Sequence, residues 1–207
     1  WGSGVMSYVS KLALAGLVLS ITVLVLVISV VNGFDRELRD RVLALLPHVS
    51  ISSDQGIPAD HPLMLTELPA ASGLESLAPY IQSTGLVAAN GRIQPVEMTG
   101  VEASSYNRVS RVEDYLRAGT LAGLEEKNFT IIIGAKLARQ LEVGIGDDLV
   151  LMLPNAQLSI AGAIARQRRF EIVDVFESQS QLDGSGVFVS LRSAQLLLRM
   201  RGEIHGF

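Results

Sequence analysis

The chain has no cysteine in its 207 residues. That excludes a disulfide framework, a thiolate metal site and a cysteine nucleophile. It also lacks an excess of positive charge: 17 Lys and Arg against 21 Asp and Glu leave a net charge of −4, the wrong sign for a nucleic-acid partner. Histidine is scarce. His48, His61 and His205 lie far apart with no His-x-x-x-His spacing, so they do not point to a metal site. No phosphate-cradling loop is present either. Gly144-Ile145-Gly146 lacks a following Gly-Lys-Ser/Thr and precedes a strand-like run, so it reads as a plain turn. Gly184-Ser185-Gly186 lacks the full frame of a nucleophile elbow and reads as a turn too. Glu125-Glu126 and Asp147-Asp148 are adjacent pairs. Neighbours on a helix or strand point different ways, so neither pair is an acid–base dyad. No catalytic, cofactor-binding or metal-ligating residue is expected.

What the chain does have is a long apolar run. Leu12 to Val31 reads LALAGLVLSITVLVLVISVV, without a charge or a proline. A helix of this length spans roughly 30 Å, the hydrocarbon thickness of a bilayer. A signal peptide would be shorter and would end in a small-residue cleavage site, which Val30-Val31-Asn32-Gly33-Phe34 does not supply. A helix apolar on every face is either buried in a large core or spans a membrane, and a run of twenty such residues favours the span. The flanking charges orient the span weakly: Lys11 precedes it, and Arg36, Arg39 and Arg41 follow it among Asp35, Glu37 and Asp40. Taken alone that count points against a cytoplasmic N-terminus, but long domains cross largely regardless of charge. The start at Trp1-Gly2-Ser3-Gly4 suggests that a basic stretch is missing from the N-terminus.

The reading therefore separates residues 1–33, a first transmembrane helix, from residues 34–207, a domain large enough for its own core. Within 34–46, apolar residues at 34, 38, 42 and 45 alternate with charges, an amphipathic extension of the helix that Pro47 stops. Beyond it, the pattern predicts a strand over His48–Ser53, a loop over Gln55–Pro62, and helices over Leu63–Ala71 and Leu74–Tyr80. Ser83–Asn90 and Arg92–Val101 read as a hairpin turned by Asn90-Gly91. Val109–Ala118 reads as loop or weak helix. Further strands are expected at Phe129–Ile133, Asp148–Leu153, Phe170–Phe176 and Gly186–Ser190, with helices at Gly134–Leu141 and Leu191–Met200. Strands and helices mix without strict alternation, which argues for an α+β fold, in two lobes. Between two strong strands, Asn155–Ala165 is small and weakly polar, and Arg166-Gln167-Arg168-Arg169 follows. It reads either as a hairpin protruding with Leu158, Ile160 and Ile164 exposed beside a basic cluster, a partner surface, or as an ordinary hairpin packed on its own domain.

Ser29-Val30-Val31-Asn32-Gly33-Phe34-Asp35-Arg36-Glu37-Leu38, followed by Leu45-Leu46-Pro47-His48, resembles a signature of the lipoprotein-releasing ABC transporter permeases of the LolC/LolE family, within the MacB/FtsX-like superfamily. Ile132-Ile133-Gly134-x-x-Leu137-Ala138, Val143-Gly144-x-Gly146-Asp147, Met152-x-Pro154, Phe170-x-Ile172, Leu182-Asp183 and Ile204-His205-Gly206-Phe207 follow in that family's order. The resemblance implies an inner-membrane permease subunit with four membrane helices and a large periplasmic domain between the first two. That domain would be MacB-like, with a porter-like lobe and a second α+β lobe. The resemblance further implies a LolD-type ATPase that holds ATP and Mg, a second permease subunit, acylated lipoproteins as cargo and a LolA-type periplasmic chaperone. The chaperone would be captured by a hook-like hairpin, here about 155–166, and a pad. On this reading Leu158, Ile160, Ile164, Arg166, Gln167 and Arg168 carry chaperone binding. Val150 stands where the family has a further pad arginine. Leu24, Val27, Val31 and Phe34 either line a lipid cavity or pack on a neighbouring helix. The rival readings are a MacB/FtsX-like export or mechanotransmission permease, a single-pass periplasmic binding or sensor module and, last, an enzyme.

Overall fold

A computed structural model of the chain describes residues 2–42, 50–58, 76–159, 162–200 and 202–207. The chain divides into two units, Trp1–Leu43 and Ala44–Phe207. The first is a single helix, α1 (Gly2–Val42). It runs unbroken through Asn32-Gly33, so the unit boundary falls about ten residues past the change in composition at Gly33. Within α1, Val9–Phe34 is long and apolar enough to cross a membrane. The Thr22 hydroxyl inside this span donates to the Val18 carbonyl at 2.7 Å, which satisfies it within the helix. The expected extension over 34–46 lies on α1 as far as Val42; Leu43–Leu46, Pro47 and His48 lie outside the described residues.

The second unit is built on β1 (Ser52–Pro58), β2 (Tyr80–Ala89), β3 (Arg92–Val101), β4 (Thr130–Gly134), β5 (Asp148–Ser159), β6 (Gly162–Phe176), β7 (Gly186–Ser190) and β8 (Glu203–Gly206). Its helices are short: α2 (Ala103–Tyr106), α3 (Gly123–Glu126), α4 (Ala135–Leu141), α5 (Leu182–Ser185) and α6 (Leu191–Leu198). The mixed α+β class expected from sequence is the class observed. The eight strands form one sheet in the order β1-β8-β2-β3-β7-β4-β6-β5, and β2 also pairs with β5. That last pairing closes six of them into a barrel, β2-β3-β7-β4-β6-β5. Closure removes free edges from those strands. The β1–β8 ribbon joins this barrel at Tyr80↔Gly206.

Two apolar clusters sit on the two sides of this sheet. The inner one gathers Ile81, Val87, Met98, Ile131, Ile133, Leu149, Leu151, Leu153, Phe170, Val187 and Val189, closed by Leu137 and Leu141 of α4 and by Ala194 and Leu197 of α6. The outer one gathers Val101, Tyr106, Leu116, Leu121, Leu124, Ile132, Phe176 and Phe188. Period-2 alternation splits β4 between them: Ile131 and Ile133 face in, and Ile132 faces out. Asp174, buried on β6, accepts from the Val175 amide at 2.7 Å and the Ala118 amide at 2.9 Å. The carboxylate thereby ties the loop of the outer cluster to the barrel.

Several expected elements fall elsewhere. The loop expected over Gln55–Pro62 is strand as far as Pro58, because β1 pairs with β8 across a bulge between Ser52 and Ile57. The helix expected over Leu74–Tyr80 does not form in its described part. Pro79 disfavours the α region at Ala78, and Tyr80 already belongs to β2. The helix expected over Leu63–Ala71, with His61, lies outside the described residues. The Asn90-Gly91 hairpin is present as expected, with ten paired positions from Tyr80↔Val101 to Ala89↔Arg92. Both turn residues have positive φ, 51° and 73°, as a two-residue hairpin turn requires.

Closure of the barrel depends on a glycine. A Cβ at Gly85 would lie 2.7 Å from the Met152 carbonyl oxygen and 2.8 Å from Leu153 Cδ2. Backbone at that distance does not yield, so Gly85→Ala is expected to lower stability by about 1–3 kcal/mol, read as a lower denaturation midpoint. Tyr106 provides a pH test. Burial pushes its phenol above the ordinary value of 10.0, and a hydrogen bond with Ser110 pulls it partly back. The unfolded chain therefore gives up this proton first. The stability it contributes is complete below pH 10 and is lost as the pH rises through the folded-state value. Tyr106→Phe is expected to flatten the alkaline limb of stability against pH.

Candidate functional site

The hairpin of interest grows out of the barrel wall. β5 and β6 pair from Asp148↔Glu171 to Leu153↔Arg166, shift register at Pro154, and pair again at Gln157↔Ile164, Leu158↔Ala163 and Ser159↔Gly162. Pro154 has no amide to give the ladder, which accounts for the irregularity there. β2 accompanies β5 only as far as Leu86↔Met152, and β4 accompanies β6 only from Glu171 onward. Past Leu153 the two strands thus pair only with each other among the described residues. The described residues of 155–165 are the outer half of two strands that begin in the barrel. Leu158 lies on β5 and Ile164 on β6, near the hairpin's tip. Ile160 lies outside the described residues.

Next to the hairpin, the outside of the barrel carries an open face. Directly paired residues share a face, so the register lays them out in rows. Pro95, Leu86, Met152 and Gln167 form one row across β3, β2, β5 and β6; Ile93, Ala88, Val150 and Arg169 form the next. Leu86 is 42% exposed and Ile93 59%, high for large apolar side chains standing together. Arg169 is held by Asp148 at 3.5 Å. The face is thus apolar across three strands and polar along β6. Sequence reading missed Leu86, Ile93, Pro95 and Met152 as members of any site. Their own strands show only alternation; adjacency across β3, β2 and β5 exists only once the barrel is closed.

The structure divides the expected chaperone-binding residues Arg166, Gln167 and Arg168, the first at the end of the expected hook and the other two in the pad. Gln167 stands on the open face, beside Met152. Arg166 and Arg168 stand on the opposite strand face, paired with the fully buried Leu153 and Leu151. Neighbours along a strand must alternate in this way. The Arg168 guanidinium lies 5.6 Å from the Phe129 ring centroid, and the Arg166 guanidinium donates to the Leu198 carbonyl. Both have partners inside the chain.

Gly144-Ile145-Gly146-Asp147, the plain turn of the sequence reading, also braces β6. The Asp147 carboxylate accepts from the Gly144 amide at 2.8 Å. Gly146 donates to the Ile172 carbonyl at 2.8 Å, and Ile172 donates to the Asp147 carbonyl at 2.9 Å. Gly146 has φ +91°, a conformation glycine adopts without strain. Among the described residues, no group of three or more His, Asp or Glu is placed to hold a metal ion. On α1, Leu24, Val27, Val31 and Phe34 follow the helical repeat along one stripe and are 52–64% exposed.

The sequence model of the MacB-like periplasmic core domain family matches residues 10–205. The chain belongs to that family. Its relatives include proteins named lipoprotein-releasing system transmembrane protein LolC, from Neisseria meningitidis, 29% identical over 99% of this chain and 49% of the relative, and from Xylella fastidiosa strain 9a5c, 31% identical over 97% and 48%. A LolE of Haemophilus influenzae is 26% identical over 92% and 46%. This member of the family spans about half the length of the curated relatives it matches. Among solved structures, the periplasmic region of MacB from Actinobacillus actinomycetemcomitans aligns at TM-score 0.45 and 15% identity, covering 77% of this chain and 64% of that one.

The absence of cysteine makes the strand faces directly testable. Single cysteines placed at Ile93, Met152 and Gln167 are expected to react with a water-soluble maleimide at least about tenfold faster than one at Leu151, as open and buried faces of the same barrel wall require. Equal rates at Met152 and Leu151 would contradict the pairing of β5 with β2 and β6.

Proposed function

We propose that this chain is the first membrane helix and periplasmic domain of a permease subunit in an ABC transporter that releases lipoproteins from the bacterial inner membrane to a LolA-type chaperone. The observation that carries the reading is the β5–β6 hairpin, self-paired past Leu153 among the described residues and flanked by a face that is apolar across β3, β2 and β5 and polar along β6. A hairpin beside an exposed apolar face is suited to docking a soluble partner. The names of the relatives supply the transport system, and the 26-residue apolar span supports attachment to a membrane. Leu158, Ile160, Ile164 and Gln167 would meet the chaperone, whereas Arg166 and Arg168 act from the opposite side of β6.

In this reading the chain is not an ATPase. ATP and Mg belong to a separate LolD-type subunit, and a second permease subunit completes the membrane part. The stripe Leu24, Val27, Val31 and Phe34 would give acyl chains a smooth apolar wall without directed bonds. The domain faces the periplasm, and α1 links it to the membrane.

The test uses the full-length subunit in its assembled transporter. Deleting residues 156–165 is expected to abolish capture of the purified chaperone and to lower lipoprotein release at least tenfold. A photo-crosslinker at Leu158 or Gln167 is expected to trap the chaperone. Full capture and release by the deletion variant would overturn the hairpin as the docking element; an intact transporter that neither captures the chaperone nor releases lipoproteins would overturn the whole reading in favour of a MacB/FtsX-like export permease.

A further inference from the structure

Among the described residues, Phe129 is the one large apolar side chain on a left-handed backbone, with φ +63°. For a bulky side chain that conformation is a genuine outlier and needs support from its surroundings. The support is complete. The Phe129 amide donates to Ser193 Oγ on α6 at 3.0 Å. Its carbonyl accepts from the Glu171 amide on β6 at 3.1 Å. Its ring meets Phe170 edge-on at 5.5 Å and lies beneath the Arg168 guanidinium at 5.6 Å. Ser193 is itself held by the Ser190 hydroxyl at 2.8 Å, within the cap of α6. Phe129 therefore joins the N-terminal turn of α6 to β6.

The other end of α6 reaches the same strand. Leu198 is its last residue, and Arg199 follows in a left-handed cap. Carbonyls in the last turn of a helix have no partner within it, and cations favour that end. Arg166 supplies the donor. Arg166 and Arg168 are two residues apart, on one face of β6, immediately before the self-paired hairpin begins. One short helix thus grips the root of the hairpin at two points.

We propose that α6 aims the hairpin, with Arg166 and Phe129 as positioning residues that fix its direction relative to the barrel. This rests on the reading of the hairpin as the docking element. A two-stranded ribbon paired only with itself has few constraints on its direction beyond its root. The two grips remove that freedom before a partner arrives, so less ordering is left to the binding step.

The experiment measures direction, which a general loss of stability would not report. Spin labels are placed at Lys136→Cys on α4 and Gln157→Cys on the hairpin, in a full-length subunit without other cysteines, assembled in its transporter. A narrow distance distribution is expected. Arg166→Ala is expected to widen it at least twofold and to weaken chaperone capture about tenfold. Arg166→Lys, whose ammonium also donates to the Leu198 carbonyl, is expected to restore both. Should Arg166→Ala not fold, Arg166→Met keeps the apolar stem and carries the same expectation. An unchanged width in the Arg166 variants overturns the aiming role and leaves the docking reading intact. Capture undiminished by deletion of 156–165 overturns the docking reading, while the width still decides the grip.

Discussion

Three residue pairs close this domain: Leu86↔Met152, Val87↔Leu151 and Ala88↔Val150. Without them β5 would end the sheet, and β2 would expose unpaired backbone groups beyond Tyr80, where β8 pairs with it. With them, six strands enclose the inner apolar cluster. The seam has an inner and an outer side. Val87 and Leu151 are buried, whereas Leu86, Ala88, Met152 and Val150 form the middle of the open face. Core and candidate docking surface are therefore two sides of one seam. Gly85 permits it, because the carbonyl of Met152 leaves no room there for a side chain.

The hairpin inherits its order from that seam. β5 is held by β2 up to Met152 and β6 by β4 from Glu171, so both strands leave the barrel in register before, among the described residues, they pair only with each other. The basic run Arg166–Arg169, which reads as one cluster, is shared between two faces. Arg169 pairs with Asp148 on the open face, and Arg166 and Arg168 are engaged by α6 and Phe129 on the other. Of the three arginines only Arg169 has an acidic partner among the described residues, and Arg166 and Arg168 keep their charge on the face away from Leu86 and Met152. Apolar area carries more of the proposed recognition.

The legible parts of the fold were those whose signal is local. The Asn90-Gly91 hairpin, the β-branched strand at Thr130–Ile133, the helix at Ala135–Leu141 and the apolar span all follow from nearest neighbours. The illegible parts depend on distant partners. Ser52–Pro58 contains Asp-Gln-Gly and has no strand pattern; it is a strand because β8 lies alongside. Glu203–Gly206 was not visible as a strand for the same reason. The hairpin's outer half looked unlike the strands that lead into it because its residues are small. Small residues continue a ladder once the strands are already aligned, and nothing in their own pattern announces it.

By itself the sequence determined a helix apolar enough to cross a membrane, the α+β class, the place of the hairpin and the absence of any cysteine, because each depends on composition or on periodicity along the chain. Only the tertiary structure decided which side of β6 each polar residue takes, that Leu86 and Ile93 stand beside Met152 and Val150, and that α6 grips the hairpin's root. The physical reason is the same for all three. Adjacency across strands is set by register and closure, and residues far apart along the chain carry no mark of it until the barrel forms. The apolar run at Leu12–Val31 marks a helix long and apolar enough to cross a membrane; the domain that follows it in the chain is specified by pairings that no local pattern contains.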